Sequence, residues 1–225
     1  MVIKNGRILD GTGNPWFDSC LCIRNGRVAK ISRTIDEKGE KTIEAEGMIV
    51  APGFIDYHTH SDLTLLVNQR AESYIHQGVT TTCIGNCGQS AAPVADAHRE
   101  EVEEYLAYHA YGVKVPIMWN TYGEYLAKLE RRGLGLNVAP FVGHGTIRIA
   151  VMGFDKRPPT RGEEERMKNL VDQSFRDGVF SLSTGLDYAP NIYSGTEEII
   201  MLCKVMAKYG GCLLYTSPSP RDRTR

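Results

Sequence analysis

The sequence predicts an α/β protein with a β-rich lead: short strands over residues 1–50, then a parallel sheet of alternating strands and helices from residue 51. Two observations carry this expectation. In the lead, "VIKNGRIL" and "LCIRNGRVAKIS" each hold Asn-Gly between runs of β-forming residues, the strongest short hairpin signal. From Ala51, short apolar runs alternate with amphipathic stretches, an order that calls for parallel strands joined by crossover helices.

The elements follow in order. "KTIEAEGMIV" adds another alternating segment, so residues 1–50 read as part of a small β-sandwich or barrel. "PGFIDYH" is a short apolar strand, "NQRAESYIHQG" a helix closed by Gly78, and "VTTTCIG" a β-branched strand. "DAHREEVEEYLAYHAYG" and "TYGEYLAKLERRG" are amphipathic helices; in the second, Tyr122, Tyr125, Leu126 and Leu129 fall at i, i+3, i+4 and i+7. "LNVAPFVG" is a strand. "TRGEEERMKNLVDQSFRDG" is a helix with Thr160 as its N-cap. "VFSLST" is the next strand and "GTEEIIMLCKVMAKYGG" the last helix. Four such units make half of a (β/α)₈ barrel, and an open doubly wound sheet also uses four or five strands, so the count leaves both architectures standing. No GxGxxG dinucleotide fingerprint occurs.

Composition excludes several function classes. Apolar residues make up 42% and charged residues 24%, an ordinary balance for a globular domain. A formal charge of −1 gives no electrostatic case for nucleic acid or an anionic membrane. No apolar run approaches the roughly 18 residues that span a bilayer. "MVIKNGRILDG" lacks the features of a signal peptide, so a cytoplasmic location is expected. The six cysteines are sparse, and several sit within apolar runs, which argues against a disulfide framework. Cys83 and Cys87 lack the two-residue gap of a zinc ribbon.

Candidate chemistry gathers at strand ends. In "APGFIDYHTHSD", His58 and His60 share one side of an extended segment by period-two alternation and can converge on a metal ion; the competing reading is two exposed loop histidines, or one histidine capping the next helix. "TTTCIGNCGQSAAP" places Cys87 just beyond the next strand. It is either a soft thiolate ligand suited to zinc or filler in a turn set by Gly85 and Gly88. Cys83, within the strand, belongs to the core. "PFVGHGTIR" and "STGLDYAPNIYS" read as further loops at the same sheet end. His144 is there for substrate contact or for a backbone hydrogen bond. The Tyr188 phenol is there for a carboxylate or carbonyl, or for packing on Pro190. His76, His98 and His109 fall on helices and read as surface or packing residues.

"VIKNGRILDGTGNPWF", "GMIVAPGFIDYHTHSD", "GVTTTCIGNCGQSAAP", "FVGHGTIR" and "GLDYAPNIYS", in this order, resemble the N-terminal half of the N-acyl-D-amino-acid deacylase (D-aminoacylase) family of the amidohydrolase superfamily. The HxH after "PGFID" marks the superfamily broadly; "GNCG" with "GLxYxP" is narrower. The resemblance implies the N-terminal half of a metal-dependent TIM-barrel hydrolase plus part of a small β-sandwich domain. It implies that His58, His60 and Cys87 are metal ligands, that Tyr188 lies near substrate, and that the ions are zinc, one or two. The implied reaction is hydrolysis of the amide in an N-acyl-D-amino acid. The family's general-base aspartate and two further histidine ligands have no counterpart in these residues, so no catalytic base is assigned. A cyclic amidase or other N-acyl hydrolase of the superfamily is the nearest alternative.

The segment "CLLYTSPSPRDRTR" does not continue a strand beyond its first residues. One reading is a Pro/Arg-rich tail that recruits a partner to a non-catalytic protein. The other is that Cys212 to Asp222 translate, codon for codon, a transposase adaptor used in sequencing libraries. On that reading residues 212–225 are not native, the chain is a fragment, and it is expected to be inactive alone. The acyl group, the side-chain preference and the oligomeric state have no signature in the sequence.

Overall fold

The structure is a computed structural model describing residues 1–36, 40–110 and 112–215. Of the segment 212–225 read as foreign, residues 216–225 lie outside the described residues. The chain divides into two compact units, Met1–Gly53 and the residues from Phe54 onward.

The first unit is one five-stranded sheet of β1 (Val2–Ile8), β2 (Phe17–Arg24), β3 (Arg27–Ser32), β4 (Thr42–Glu44) and β5 (Ile49–Val50). Its order is β3-β2-β1-β4, with β5 also pairing β1. The two Asn-Gly pairs do different jobs. Asn25 (φ 51°) and Gly26 (φ 70°) form the two-residue turn between antiparallel β2 and β3, as the hairpin signal requires. Asn5 (φ 57°) instead sits inside β1, where the register with β2 shifts between Ile3 and Gly6. That is a bulge, and the Asn5 amide donates from it to Glu44 Oε1 at 2.8 Å. Asn-Gly encodes left-handed backbone, which a bulge uses as readily as a turn. Val2, Cys20, Cys22 and Ile35 form the small core.

The second unit contains β6 (Phe54–Asp56), α1 (Glu72–Ile75), β7 (Val79–Ile84), α2 (Arg99–Ala107), α3 (Tyr122–Arg132), β8 (Asn137–Gly143), α4 (His144–Met152), α5 (Arg161–Arg176), β9 (Ser181–Thr184), α6 (Thr196–Met206) and β10 (Leu213–Tyr215). The sheet runs β6-β7-β8-β9-β10, every neighbouring pair parallel. A doubly wound sheet reverses its order at a switch point. This one advances in sequence order throughout the described residues, which is the winding of a (β/α) barrel wall.

Local sequence explains the best-formed helices. α3 and α5 each open with a reciprocal capping box, Thr121 with Glu124 and Thr160 with Glu163. α3 buries Tyr122, Tyr125 and Leu129, and α5 buries Met167, Val171 and Phe175, the apolar stripes that face the strands. They join Ile84, Val142 and Leu182 of the sheet in one continuous core.

Two elements differ from expectation. The helix expected over "NQRAESYIHQG" shrinks to the single turn of α1. α4, expected as loop, starts immediately after β8. Its segment "HGTIRIAVM" carries a glycine, several β-branched residues and no side-chain cap, so local propensity is poor. Nearly every residue of it is buried, and tertiary packing supplies the helix.

Candidate metal centre

The histidine pair is aimed by the residue between its members. Thr59 is buried; its N–H donates to Cys83 O at 3.3 Å and its Oγ1 to the same carbonyl at 3.0 Å. Thr59 Oγ1 also bonds to Thr82 Oγ1 at 3.0 Å. Pinning Thr59 against β7 directs the flanking imidazoles the other way, and their rings lie 5.4 Å apart.

Cys87 reaches them from the loop after β7. Gly85 (φ 79°), Cys87 (φ 53°) and Gly88 (φ 76°) all have left-handed backbone, a conformation that costs a non-glycine residue about 1–3 kcal/mol. The surroundings over-determine it. Asp62 accepts the Gly85 N–H at 3.2 Å on one carboxylate oxygen and the Ala91 N–H at 3.3 Å on the other. Ser183 Oγ accepts the Gly88 N–H at 3.0 Å and donates to the Gly85 carbonyl. Tyr125 Oη donates to the Asp62 backbone carbonyl at 2.7 Å. No side chain fits at Gly85, where a β-carbon would overlap the backbone carbonyl of Phe141.

The result is a converging donor set. His58 Nε2 lies 3.2 Å from Cys87 Sγ, and the ligand atoms of His58, His60 and Cys87 all fall within 4.8 Å of one another. His58 is exposed, His60 half-buried and Cys87 buried. Burial, assisted by His109 and His58, lowers the His60 pKa to about 4, which keeps this imidazole neutral with a lone pair to offer. Two imidazoles and a thiol at this separation suit a tetrahedral, borderline-soft ion, so the residues present fit zinc.

Tyr188 follows β9 and is 45% exposed. A β-carbon on Gly185 would sit 2.8 Å from the Cys87 carbonyl oxygen and 3.0 Å from Tyr188 Cδ2, so the phenol ring borders the cysteine loop. His144, for which two roles stood open, is buried and fully engaged. Its Nδ1 pairs with Thr184 Oγ1 at 3.0 Å and its Nε2 with Glu198 Oε1 at 2.7 Å, while Arg148 Nη1 donates to Glu198 Oε2 at 2.5 Å. Burial pushes the Glu198 carboxyl up, but His144 and Arg148 together hold it below its ordinary value. Cys83 is core, its thiol raised by burial and by Asp56.

Sequence reasoning missed two residues. Asp62 shares the parity of His58 and His60, a signal that was available in "HTHSD". It is fully buried, and that burial raises its pKa to about 7 against the backbone N–H groups it accepts. His109, read as a surface or packing residue, stacks on His60 with ring centroids 3.8 Å apart and planes 8° apart. No spacing pattern connects it to the HxH. Of the other helix histidines, His76 is exposed and His98 pairs with Glu101 at 2.9 Å.

A sequentially wound parallel sheet carrying clustered His, His and Cys donors beyond its strand ends defines a metal-site barrel protein. Comparison with known proteins makes the assignment narrower: the chain belongs to the amidohydrolase family, whose sequence profile matches residues 41–193. It is 34% identical over 215 residues to the N-acyl-D-aspartate deacylase of Alcaligenes xylosoxydans xylosoxydans, covering 96% of this chain and 42% of that protein. A D-aminoacylase structure described for the functional role of its binuclear metal centre superimposes with TM-score 0.80 at 33% identity, covering 94% of this chain and 44% of that one. The N-acyl-D-glutamate deacylase of Bordetella bronchiseptica, complexed with zinc and a phosphonate inhibitor, superimposes with TM-score 0.81 at 32% identity, covering 95% and 44%. The chain thus spans less than half the length of these relatives. No helix among the described residues is long and apolar enough to cross a membrane.

Proposed function

We propose that the chain is the metal-bearing N-terminal part of a zinc-dependent hydrolase that cleaves the amide bond of N-acyl-D-amino acids. The observation that carries this reading is the His58–His60–Cys87 cluster, because a cysteine donor beside an HxH pair matches the soft, borderline character of zinc. Similarity to deacylases along almost the whole chain supports the substrate class.

In this reading His58 and His60 would hold the ion through imidazole nitrogens and Cys87 through its sulfur. The likeness to a binuclear D-aminoacylase supports a site for one or two ions. The chemistry supplied by bound zinc is Lewis acidity: polarisation of the scissile carbonyl and acidification of a water towards neutrality. Asp62 and Ser183 keep the cysteine loop in place by their bonds to Gly85, Gly88 and Ala91. Tyr188, beside that loop, offers its phenol to the substrate carboxylate or carbonyl. No catalytic base is assigned among these residues, so turnover by this chain alone is not expected. A cytoplasmic setting, which keeps the Cys87 thiol reduced, belongs to the same proposal. So does the reading of residues 212–225 as adaptor-derived.

The test is a panel of acidic and neutral N-acyl-D-amino acids, assayed with the protein that carries the remaining barrel segment. Zinc-dependent release of D-amino acid, abolished by Cys87→Ala, is expected. No hydrolysis across the panel, or hydrolysis indifferent to zinc, contradicts the proposal.

A further inference from the structure

A histidine that ligates a metal through one ring nitrogen is ordinarily oriented by a hydrogen bond from the other, to a carboxylate, a carbonyl or water. His60 departs from this. Among the described residues no hydrogen bond engages its ring; its ring contacts are the tilted approach of His58 at 5.4 Å and the stack with His109 at 3.8 Å and 8°. Ligand geometry depends on the plane of this imidazole, and the His109 ring meets that plane face to face.

His109 is itself held from two directions. Its N–H donates to Leu106 O at 3.1 Å, continuing the end of α2, and the Tyr108 ring meets it edge-on at 4.9 Å. On the side of this pair, His60, His109, Asp62, Leu63 and Gln89 border a cavity of about 10 Å³, close to the smallest space that admits one water. Gln89 is 6% exposed, and among the described residues its Oε1 has no hydrogen-bond partner. Buried Leu63, Leu106 and Ala110 border the same cavity, so packed side chains back the stacked pair.

We infer that His109 is a positioning residue: its imidazole plane, stacked on the His60 ring, fixes that ring in the ligating orientation. The inference rests on the metal-centre reading above and adds to it a residue from a different helix and a different kind of contact. His109 supplies a flat surface, so the property that matters is planarity and not a nitrogen atom.

The test compares zinc affinity of the full 225-residue chain with that of His109→Ala and His109→Phe, by competition against a chromophoric chelator. Phenylalanine keeps the stack and removes both nitrogens. Loss of an outer-shell partner typically weakens metal binding 10–100-fold, so His109→Ala is expected to lose roughly tenfold or more while His109→Phe stays within about threefold of the parent. Equal affinity in the parent and His109→Ala overturns the inference and leaves the metal centre standing. Equal loss in both variants overturns it in favour of a ring nitrogen as a direct ligand. A parent chain that takes up no zinc overturns the metal centre and this inference together.

Discussion

His58 Nε2 stands 3.2 Å from Cys87 Sγ although the two residues are 29 positions apart in the chain. The approach depends on two anchors that carry no ligand themselves: Thr59, bonded to Cys83 of β7, and Asp62, bonded to Gly85 and Ala91 in the cysteine loop.

The first anchor gives a stability prediction. Thr59→Val keeps the side-chain shape but removes the hydroxyl that bonds Thr82 Oγ1 and donates to Cys83 O. Leaving a buried polar partner unsatisfied costs about 1–3 kcal/mol, so urea unfolding is expected to show a loss in that range. A variant as stable as the parent would mean that the hydroxyl network does not hold this strand end.

A second prediction concerns the buried group behind β8 and β9. Glu198 accepts from Arg148 and pairs with His144, all three excluded from solvent. Glu198→Ala strands a buried guanidinium and is expected to cost about 3–5 kcal/mol by chemical denaturation, while Glu198→Leu with Arg148→Met costs distinctly less. Equal losses in the two variants would mean that the stranded guanidinium is not the source of the cost.

The third prediction is a pH dependence. Glu163 accepts from both terminal nitrogens of Arg157, at 2.7 and 2.8 Å, and from the Thr160 N–H at 2.7 Å. The Arg157 bonds, then the Thr160 N–H, hold its carboxyl well below the carboxylate range. A depressed folded-state pKa stabilises the protein above the unfolded value of about 4.3, and this contribution fades as pH falls towards the folded value. The parent is therefore expected to exceed Glu163→Gln in stability at neutral pH, with the gap narrowing below about pH 4.3. Because Arg157 is partly exposed, the gap is moderate and shrinks with added salt. A gap that stays constant from neutral to strongly acidic pH would contradict the assignment.

Much of this was legible in the sequence where local rules and tertiary context agree. Thr121 and Thr160 cap the helices they announce, and period-two alternation puts His58 and His60 on one side. Legibility failed where context overrides propensity. α4 reads as loop because glycine and β-branched residues are poor helix formers, yet burial supplies what propensity lacks. Asn5 reads as a turn because the residue pair specifies only the sign of φ. The role of His144 stayed open because Glu198, the partner that occupies it, lies 54 positions on. His109 meets His60 by a stack, and ring stacking leaves no periodic trace.

The metal centre depends on Cys87 acting as a ligand together with His58 and His60. The direct measurement is the absorption spectrum of the 225-residue chain titrated with Co²⁺ as a zinc surrogate, beside Cys87→Ser and His58→Ala. The predicted result is a near-ultraviolet thiolate-to-cobalt charge-transfer band in the parent. It should vanish in Cys87→Ser and weaken in His58→Ala, with zinc displacing cobalt stoichiometrically. A parent spectrum without that band, or a band that survives Cys87→Ser, would contradict the metal centre.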